Sequence, residues 1–302
     1  MNEENNVIIH VCVKDRPTEL FGLLQSLRTQ TYQNFNILIL DDGSSTRLDS
    51  HYFIQYIINR MTLEGHEIKV IRNELPSGVS MARQTLVDYS LKNGKEEFIC
   101  RLDDDVLVEP DYIEKLFEVL NEGYDLASGI TTPIMQPEWK RDVKYVTPLI
   151  GECRLDEEGN LIMNGDDCGY GYYERAIIPA HHFRSCALYK KEIHESGADY
   201  NSRLTKHGFR EEQLFSFKVI INGYKIGVHT QANALHLCCP SGGERSTTNL
   251  TDCNQEIFED SVKKMFEKHG NFLEDYNKKL GIKTREVDET ELLKATNLVS
   301  KR

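Results

Sequence analysis

Short apolar runs alternate with amphipathic segments through the N-terminal part of the chain. Val7–Val13 and Asn36–Leu40 are apolar runs that predict buried strands, and Thr18–Gln30 between them carries leucines at helical spacing. This order predicts a βαβ unit whose two strands are parallel. Ile68–Ile71 and Glu97–Cys100 predict two further buried strands. We therefore expect an α/β fold with an open, mostly parallel sheet flanked by helices.

The same alternation continues to about residue 240. Further helices are predicted after Gly78, over Asp111–Asn121 and over Leu214–Asn222. Additional strands are predicted at Asp125–Gly129, Ile226–His229 and Ala234–Leu237. A hairpin turn is predicted at Glu157–Asn160. Residues 241–302 are rich in charged residues and predict a helical C-terminal appendage that packs on the domain or pairs with a second subunit.

Three consecutive carboxylates follow the strand predicted at Glu97–Cys100. On an extended backbone Asp103 and Asp105 point the same way, while Asp104 faces the other side. Adjacent carboxylates repel one another unless a cation or a set of hydrogen-bond donors offsets the repulsion. Hard oxygen ligands in this arrangement suit Mg²⁺ or Mn²⁺, although a solvated acidic loop is the alternative for such a run taken alone.

Two other predicted strands also end in aspartate. Asp15 follows the first strand, and Asp41 and Asp42 follow the second. In open parallel sheets, ligands bind outside the carboxyl ends of the strands. We therefore expect Asp15, Asp42 and the run that contains Asp103 and Asp105 to converge at one edge of the sheet.

Several motifs in this order resemble glycosyltransferase family 2, whose members have the GT-A fold of nucleotide-diphospho-sugar transferases. The resemblance covers roughly residues 7–240. The family often has Pro-Thr-Tyr-Asn after the first strand where this chain has Val11–Asp15, and its late motif is usually Glu-Asp rather than Glu211-Glu212. The matching motifs are Lys14–Pro17, Asp41–Ser44, Gly78–Gln84, the DXD-like Asp103–Asp105, and Gly208–Gln213.

The resemblance implies a GT-A domain over residues 1–240, with a nucleotide-binding half at about 7–130 and an acceptor-side half at about 131–240. It implies a nucleotide-sugar donor, with UDP the expected nucleotide, and a Mn²⁺ or Mg²⁺ cofactor. Asp105 and Asp103 would hold the metal, with His236 as a third candidate ligand, though a lone histidine is more often structural.

Donor contacts are expected from the other acidic strand ends and from one arginine. Asp42 and Asp15 would accept a hydrogen bond from the base, Asp103 could bind the ribose instead of the metal, and Asp104 is expected beside the donor. Arg83 is expected near the base or the phosphates, with a surface salt bridge as the alternative. The alternative for Asp42 is a turn-forming role before the glycine that follows it.

An acceptor hydroxyl must lose its proton as it attacks the anomeric carbon, and a carboxylate can take that proton. Glu211 and Glu212 follow Gly208 at a predicted helix N-terminus. By position in the resembling motif, Glu212 is the expected base and Glu211 the neighbour that holds the acceptor or the loop. The alternative is that both are first-turn glutamates favoured only by the helix dipole.

Composition narrows the function classes. The chain has 302 residues and a formal net charge of −12, so nucleic acids and anionic lipid surfaces are poor partners. A basic patch around Arg83, Lys140 and Arg141 would still allow the protein to bind an acidic substrate. The polar start is unlike a signal peptide and no apolar run could span a bilayer, so a cytoplasmic location is expected.

The eight cysteines include no CxxC pair with metal-binding spacing. Cys12, Cys100 and Cys186 lie in apolar, strand-like contexts and are expected to be reduced core residues. Cys238 and Cys239 are adjacent and are expected to be structural.

The resemblance, taken with these candidate residues, implies an inverting, metal-dependent hexosyl- or N-acetylhexosaminyltransferase that uses a hydroxyl-bearing acceptor, such as a carbohydrate. A nucleotidyltransferase on a similar fold is one alternative, but no glycine-rich G-x-G-x-R start follows the first strand. A non-catalytic nucleotide-sugar or glycan-binding protein is the other. A homo-oligomer formed through the C-terminal helices is also expected.

Overall fold

A computed structural model describes six segments of the chain. The predicted basic residues Lys140 and Arg141 lie outside the described residues, as does the part of the predicted C-terminal appendage at 283–302. The described segments are 6–134, 148–163, 175–200, 203–204, 206–243 and 250–282.

Most strands of the structure belong to one large mixed sheet. In chain order the strands are β1 Val7–Val13, β2 Phe35–Asp42, β3 Ile68–Asn73, β4 Phe98–Asp103, β5 Val106–Val108, β6 Leu126–Pro133, β7 Cys153–Leu155, β8 Leu161–Met163, β9 Ile177–Pro179, β10 Ala187–Lys190 and β11 Ile226–His236.

Nine of these strands, all within the described residues, form the sheet in the order β3-β2-β1-β4-β10-β6-β11-β5, with β9 paired to β11. The strands β3, β2, β1 and β4 are mutually parallel, as the N-terminal pattern predicts. Strand β10 is antiparallel to both β4 and β6, so the second half of the sheet is mixed. The parallel strands bring the ends of β1, β2 and β4 to one edge.

Helices cover both faces of the sheet. They are α1 Pro17–Arg28, α2 Tyr52–Leu63, α3 Val79–Asn93, α4 Tyr112–Asn121, α5 Glu192–Glu195, α6 Glu211–Ile221, α7 Leu250–His269 and α8 Phe272–Leu280, with a 3₁₀ turn at Leu48–Ser50.

Strand β1 shows how the pattern of apolar residues forms two layers. Val7, Ile9 and Val11 are fully buried in the core layer that contains the leucines of α1. Ile8 points to the opposite face and joins the layer that contains α3 and α6. Because a central parallel strand is buried on both faces, its sequence is a continuous apolar run rather than an alternating one.

The two short late strands predicted at 226–229 and 234–237 are one strand, β11. Its pairing with β6 shifts register between Val228 and Asn233, which is a β-bulge or similar irregularity. The polar residues at this point interrupt the apolar pattern, although His229 and Thr230 are fully buried. The predicted hairpin turn is confirmed: β7 and β8 pair on either side of it, and Asp156 N–H donates to the Asn160 carbonyl at 2.9 Å.

The described C-terminal helices pack on the domain. Phe258 of α7 and Phe272 of α8 are buried in the same core cluster as Phe217 of α6. The Tyr276 hydroxyl on α8 accepts from Ile226 N–H of β11 at 2.9 Å. These contacts occupy the apolar side chains within the chain itself, so the expected homo-oligomer has no support in the described residues. The division of the chain at residue 240 stays a prediction.

Candidate active site

A cavity of about 600 Å³ opens at the edge of the sheet where β1, β2 and β4 end. Its volume lies in the range of small-molecule sites. Asp42 and Asp103 line it from the strand ends, Arg83 lines it from α3, and Glu211 and Glu212 line it from the first turn of α6. The cavity therefore contains most of the residues that the sequence singles out.

The acidic run forms the part of this cavity that resembles a metal-binding site. Asp103 is the last residue of β4, and Asp104 and Asp105 form the turn into β5. His236 ends β11 beside β5, which brings its ring to the same point. Candidate ligand atoms of Asp103, Asp105 and His236 lie within 4.8 Å of one another, and His236 Nε2 is 3.1 Å from Asp105 Oδ1. The predicted convergence of Asp103 and Asp105 is confirmed.

The expectation that Asp104 faces away from its neighbours is wrong. It assumed an extended backbone, whereas Asp104 lies in a turn and lines the same cavity. Its carboxylate accepts a hydrogen bond from Arg16 Nη1 at 3.0 Å. Burial raises the pKa of Asp104 to about 7, although the charge of Arg16 opposes that rise.

Arg16 clamps the 239–243 loop onto the acidic turn. Its Nη1 also lies 3.1 Å from Asp105 Oδ2, its Nε donates to the Ser241 carbonyl at 3.0 Å, and its Nη2 donates to the Cys239 carbonyl at 3.2 Å. The side chain is buried, at 7% exposure. From the sequence Arg16 stands out only as part of a motif, because its partners come from turns and loops that are distant along the chain.

The chain of this loop approaches Arg16 so closely that a glycine is required. Gly242 has φ 71°, and a Cβ there would lie 2.5 Å from Arg16 Cγ and 2.7 Å from the Asp15 carbonyl oxygen. The Gly242→Ala variant should therefore displace the loop and weaken Mn²⁺ binding measured by calorimetry with UDP present. The strained φ alone should lower the free energy of unfolding by roughly 1 kcal/mol.

Gly159→Ala is the matched control for this prediction. Gly159 also has a positive φ, of 83°, but among the described residues no atom lies within 4 Å of the position that its Cβ would take. The control should show the loss of stability without the loss of metal binding. Equal Mn²⁺ affinities in the two variants would contradict the clamping role of the loop.

Asp42 is buried at the end of β2 and lines the cavity, but its carboxylate is already engaged. Oδ1 accepts from Asn73 Nδ2 at 2.8 Å and from both the N–H and the hydroxyl of Ser77, at 2.9 and 2.8 Å. Oδ2 accepts from Gly78 N–H at 2.9 Å. Asp42 thus holds the turn that leads into α3, which is not the turn before Gly43 that the sequence offers as the alternative; there Ser44 N–H donates to Asp41 instead. A contact with a nucleotide base stays a prediction.

Asp15 does not appear among the described residues that line the cavity. It adopts a left-handed conformation with φ 55°, which aspartate tolerates better than most residues. Its Oδ1 accepts from the N–H and the hydroxyl of Ser45, at 2.7 and 2.6 Å. This geometry ties the end of β1 to the loop after β2, and the predicted contact with the base has no support from the position of Asp15.

Arg83 links the acidic turn to the start of α6. Its Nη2 donates to Asp103 Oδ1 at 2.5 Å, and its Nε lies 3.0 Å from Glu211 Oε1. The side chain is only 9% exposed, so the surface salt bridge considered from sequence is wrong and the pair is buried. Burial by itself would raise the pKa of Asp103, but the charges of Arg83 and Arg101 hold it below its ordinary value.

The two glutamates of α6 have different environments. Glu211 is buried, and both of its oxygens are bound by Arg101, at 3.0 and 2.6 Å. Glu212 is more exposed, and its Oε1 lies 3.4 Å from Arg101 Nη2. Burial, and next the negative charge of Glu211, raise the pKa of Glu212 to about 7. Of the two, Glu212 is the carboxylate that is available to a bound molecule.

Arg101 is a second residue of the site to which the sequence motifs give no role. It lies between apolar residues of strand β4, which ends at Asp103, and its side chain is 1% exposed. An arginine inside an apolar strand must meet a carboxylate, because an unpaired buried charge is strongly destabilising. That signal is present in the sequence, but it does not say which carboxylate is the partner.

Comparison with known proteins identifies the family. Residues 8–197 match the family model described as Glycosyl transferase family 2. The chain belongs to glycosyltransferase family 2. An uncharacterized glycosyltransferase of Haemophilus influenzae is 27% identical over 150 residues, which are 50% of this chain and 46% of that protein. Glycosyltransferase GlyA of Streptococcus pneumoniae is 29% identical over 127 residues, 42% of this chain and 17% of that protein. The chain thus spans less than half the length of either relative.

Solved structures share the GT-A fold with this family 2 chain. S. aureus TarS has a TM-score of 0.53 at 15% identity, over 76% of this chain and 60% of that one. GalNAc-T7, solved with UDP, GalNAc and Mn²⁺, has a TM-score of 0.61 at 13% identity, over 92% of this chain and 55% of that one. At these identities the likeness shows the fold alone, and it confirms the predicted α/β architecture.

The described cysteines of this family 2 protein are free thiols. Cys100 and Cys186 are buried free thiols as expected, and Cys12 is partly buried. Cys238 and Cys239 lie beside the acidic turn, where Cys239 N–H donates to Asp105 Oδ2 at 3.3 Å. Within the described residues, no helix combines the length and apolar content needed to cross a bilayer.

Proposed function

We propose that this family 2 protein is an inverting, metal-dependent glycosyltransferase that moves a sugar from a UDP-sugar to a hydroxyl acceptor. The observation that carries the proposal is the pairing of two features in one cavity. Asp103, Asp105 and His236 form a compact set of ligand atoms, and Glu212 is a carboxylate with a pKa of about 7. A metal-assisted leaving group and a general base are the two requirements of single-displacement transfer.

The acidic turn has the donor set of a divalent cation site. Two carboxylates and an imidazole would hold the ion, and the imidazole favours Mn²⁺ over the harder Mg²⁺. The bound ion would neutralise the negative charge that develops on the diphosphate leaving group. Arg16 keeps Asp105 and the 239–243 loop in place, and Arg83 orients Asp103. The solved structure of GalNAc-T7 with UDP and Mn²⁺ on the same fold supports this assignment.

The donor nucleotide is proposed to lie near the ends of β1 and β2. Asp42 shapes this part of the cavity through the turn at Ser77 and Gly78, and any contact with the base adds to that role. Asp104 lies in the cavity wall beside Arg16, where it balances the arginine charge close to the donor. The transferred sugar is proposed to be a hexosyl or N-acetylhexosaminyl group.

The acceptor hydroxyl is proposed to bind on the α6 side of the cavity. Glu212 takes the hydroxyl proton as the oxygen attacks the anomeric carbon, and the bond from that carbon to the diphosphate oxygen breaks. One displacement of this kind inverts the anomeric configuration. Glu211 cannot act in the same way while Arg101 binds both of its oxygens.

Release of UDP from a panel of UDP-sugars, with a panel of hydroxyl acceptors and Mn²⁺, tests the proposal. We expect UDP release above the rate of hydrolysis only with a matched donor and acceptor, and its loss in excess EDTA. Proton NMR of the product should show the opposite anomeric configuration to the donor. Full activity in EDTA would overturn the metal dependence, and retained configuration would overturn the single displacement.

A further inference from the structure

The guanidinium of Arg101 is buried behind Glu212, the proposed base, and contacts several groups. Arg101 binds Glu211 through two parallel hydrogen bonds, and its Nε donates to the Ser185 carbonyl at 3.1 Å. Its guanidinium carbon lies 5.1 Å from the ring centre of Phe183 and 5.7 Å from that of Tyr200. Bidentate pairing combined with aromatic contact requires a planar cation, which lysine does not provide.

The contacts of Arg101 with the two glutamates are unequal. Its Nη2 is 2.6 Å from Glu211 Oε1 but 3.4 Å from Glu212 Oε1. The Glu211 side chain is 2% exposed, whereas that of Glu212 is 22% exposed. Glu211 is therefore held by the protein, and Glu212, next to it on α6, keeps its carboxylate toward the cavity under the influence of the same positive charge.

We propose that Arg101 is a positioning residue for Glu212: by binding Glu211 it fixes the first turn of α6, and its nearby positive charge favours the carboxylate form of Glu212 that accepts the proton. This inference rests on the proposed function, because it gives Glu212 the role of base. Arg101 itself does not reach a substrate, since it lies behind the glutamates and is not among the described residues that line the cavity.

Several other groups act on the charge of Glu212. Glu211 on the same helix and Asp103 on β4 raise its pKa, while Arg101 on β4 and Arg83 on α3 lower it. Removal of the Arg101 charge should therefore make Glu212 harder to ionise. Further charged or titratable groups that line the same cavity include His182, Arg184, His207 and Arg210.

The first test measures the ionisation of Glu212 and needs no substrate. In protein labelled with ¹³C at the glutamate carboxyl carbon, the signal that is missing in Glu212→Gln identifies Glu212. Wild type should titrate near pH 7, and Arg101→Met should titrate at clearly higher pH. Arg101→Lys keeps the charge and should shift much less than Arg101→Met. An unchanged midpoint in Arg101→Met would overturn the inference, whether or not an acceptor is known.

Arg101→Met leaves Glu211 without its main partner and could impair folding. The double variant Arg101→Met with Glu211→Leu removes both members of the pair, which avoids an unpaired buried charge. It should fold and bind UDP with Mn²⁺ within about threefold of wild type, but its transfer rate should fall at least tenfold. A double variant with the wild-type rate would show that the pair does not position Glu212.

The second test separates positioning from a general loss of structure. Arg101→Lys should lower kcat roughly tenfold to a hundredfold while the KM for the donor stays within about twofold, because the planar pairing is lost but the donor site is intact. Arg28→Lys is the matched control, since Arg28 also binds a glutamate through two hydrogen bonds, to Glu64, outside the cavity. It should leave kcat unchanged.

The outcomes distinguish this inference from the proposed function. A fully active Glu212→Gln would show that Glu212 is not the base, and both proposals would fail together. Loss of activity in Glu212→Gln, with wild-type kcat and titration in the Arg101 variants, would overturn only the role of Arg101.

Discussion

Replacement of Asp105 by alanine is expected to abolish sugar transfer and most of the metal-dependent binding of UDP. Asp105 Oδ1 lies 3.1 Å from His236 Nε2, and its ligand atom belongs to the compact set that also includes Asp103. Loss of one direct ligand should remove several kcal/mol of leaving-group stabilisation, which is a rate loss of roughly a thousandfold or more. The measurements are kcat in saturating Mn²⁺ and a calorimetric titration of Mn²⁺ in the presence of UDP.

Two further variants make this prediction specific. Asp105→Ala also removes a partner of the buried Arg16, so Asp105→Asn, which keeps the shape of the side chain, serves as the milder change. It should retain the folded structure and still bind Mn²⁺ weakly. Asp49→Ala is the control, because Asp49 pairs with Arg47 on the surface and is well exposed. Full activity of Asp105→Ala would rule out Asp105 as a metal ligand.

The parallel half of the fold could be predicted because its signals are local. Strands β1 and β2 are apolar runs buried on both faces, and the leucines of α1 recur at helical spacing. Parallel strands have their carboxyl ends at the same edge of the sheet. Asp42 and Asp103, which end two such strands, could therefore be expected in one cavity without knowledge of their contacts. The position of His236 beside Asp103 and Asp105 depends on the pairing of β11 with β5. That pairing belongs to the mixed half of the sheet, which the parallel pattern does not predict.

What the sequence could not predict were the partners of the buried charges. The sequence predicts that Asp42 binds a base, and the structure shows its carboxylate bound to the turn at Ser77 and Gly78. Arg16 and Arg101 pair with carboxylates that are distant in sequence, so a single sequence offers no local signal for the partner of either. Such pairs form only when tertiary packing excludes water around both groups. The choice between Glu211 and Glu212 likewise depends on which of them Arg101 binds.

The second large effect concerns Glu212. The Glu212→Gln variant keeps the size and hydrogen-bonding shape of the side chain but cannot accept a proton. Because the base acts on the acceptor and not on the donor, the affinity for UDP with Mn²⁺ should be nearly unchanged. Turnover should fall by roughly two to four orders of magnitude. Steady-state transfer assays together with calorimetry separate these two quantities.

Glu211→Gln is the matched comparison on the same helix turn. It weakens the pairing with Arg101 and Arg83 but leaves the Glu212 carboxylate in place, so its loss of turnover should be smaller. If the larger loss occurs in Glu211→Gln, the base is Glu211 and the exposed position of Glu212 has another use. If neither variant loses activity, a different group takes the proton.

The pH profile gives an independent check on the same residue. Glu212 must be ionised to act as a base, and burial together with the charge of Glu211 raises its pKa to about 7. The transfer rate of wild type should therefore fall as the pH is lowered through 7, and it should level off above that value. The residual rate of Glu212→Gln should lose the part of this fall that comes from Glu212, because glutamine does not titrate, whereas any part that comes from Asp104, whose pKa is also raised to about 7, should remain. A wild-type rate that stays constant down to pH 5 would mean that the group that takes the proton has an ordinary carboxyl pKa. Because the pKa of Glu212 is raised by burial and by Glu211, that result would contradict its role as the base.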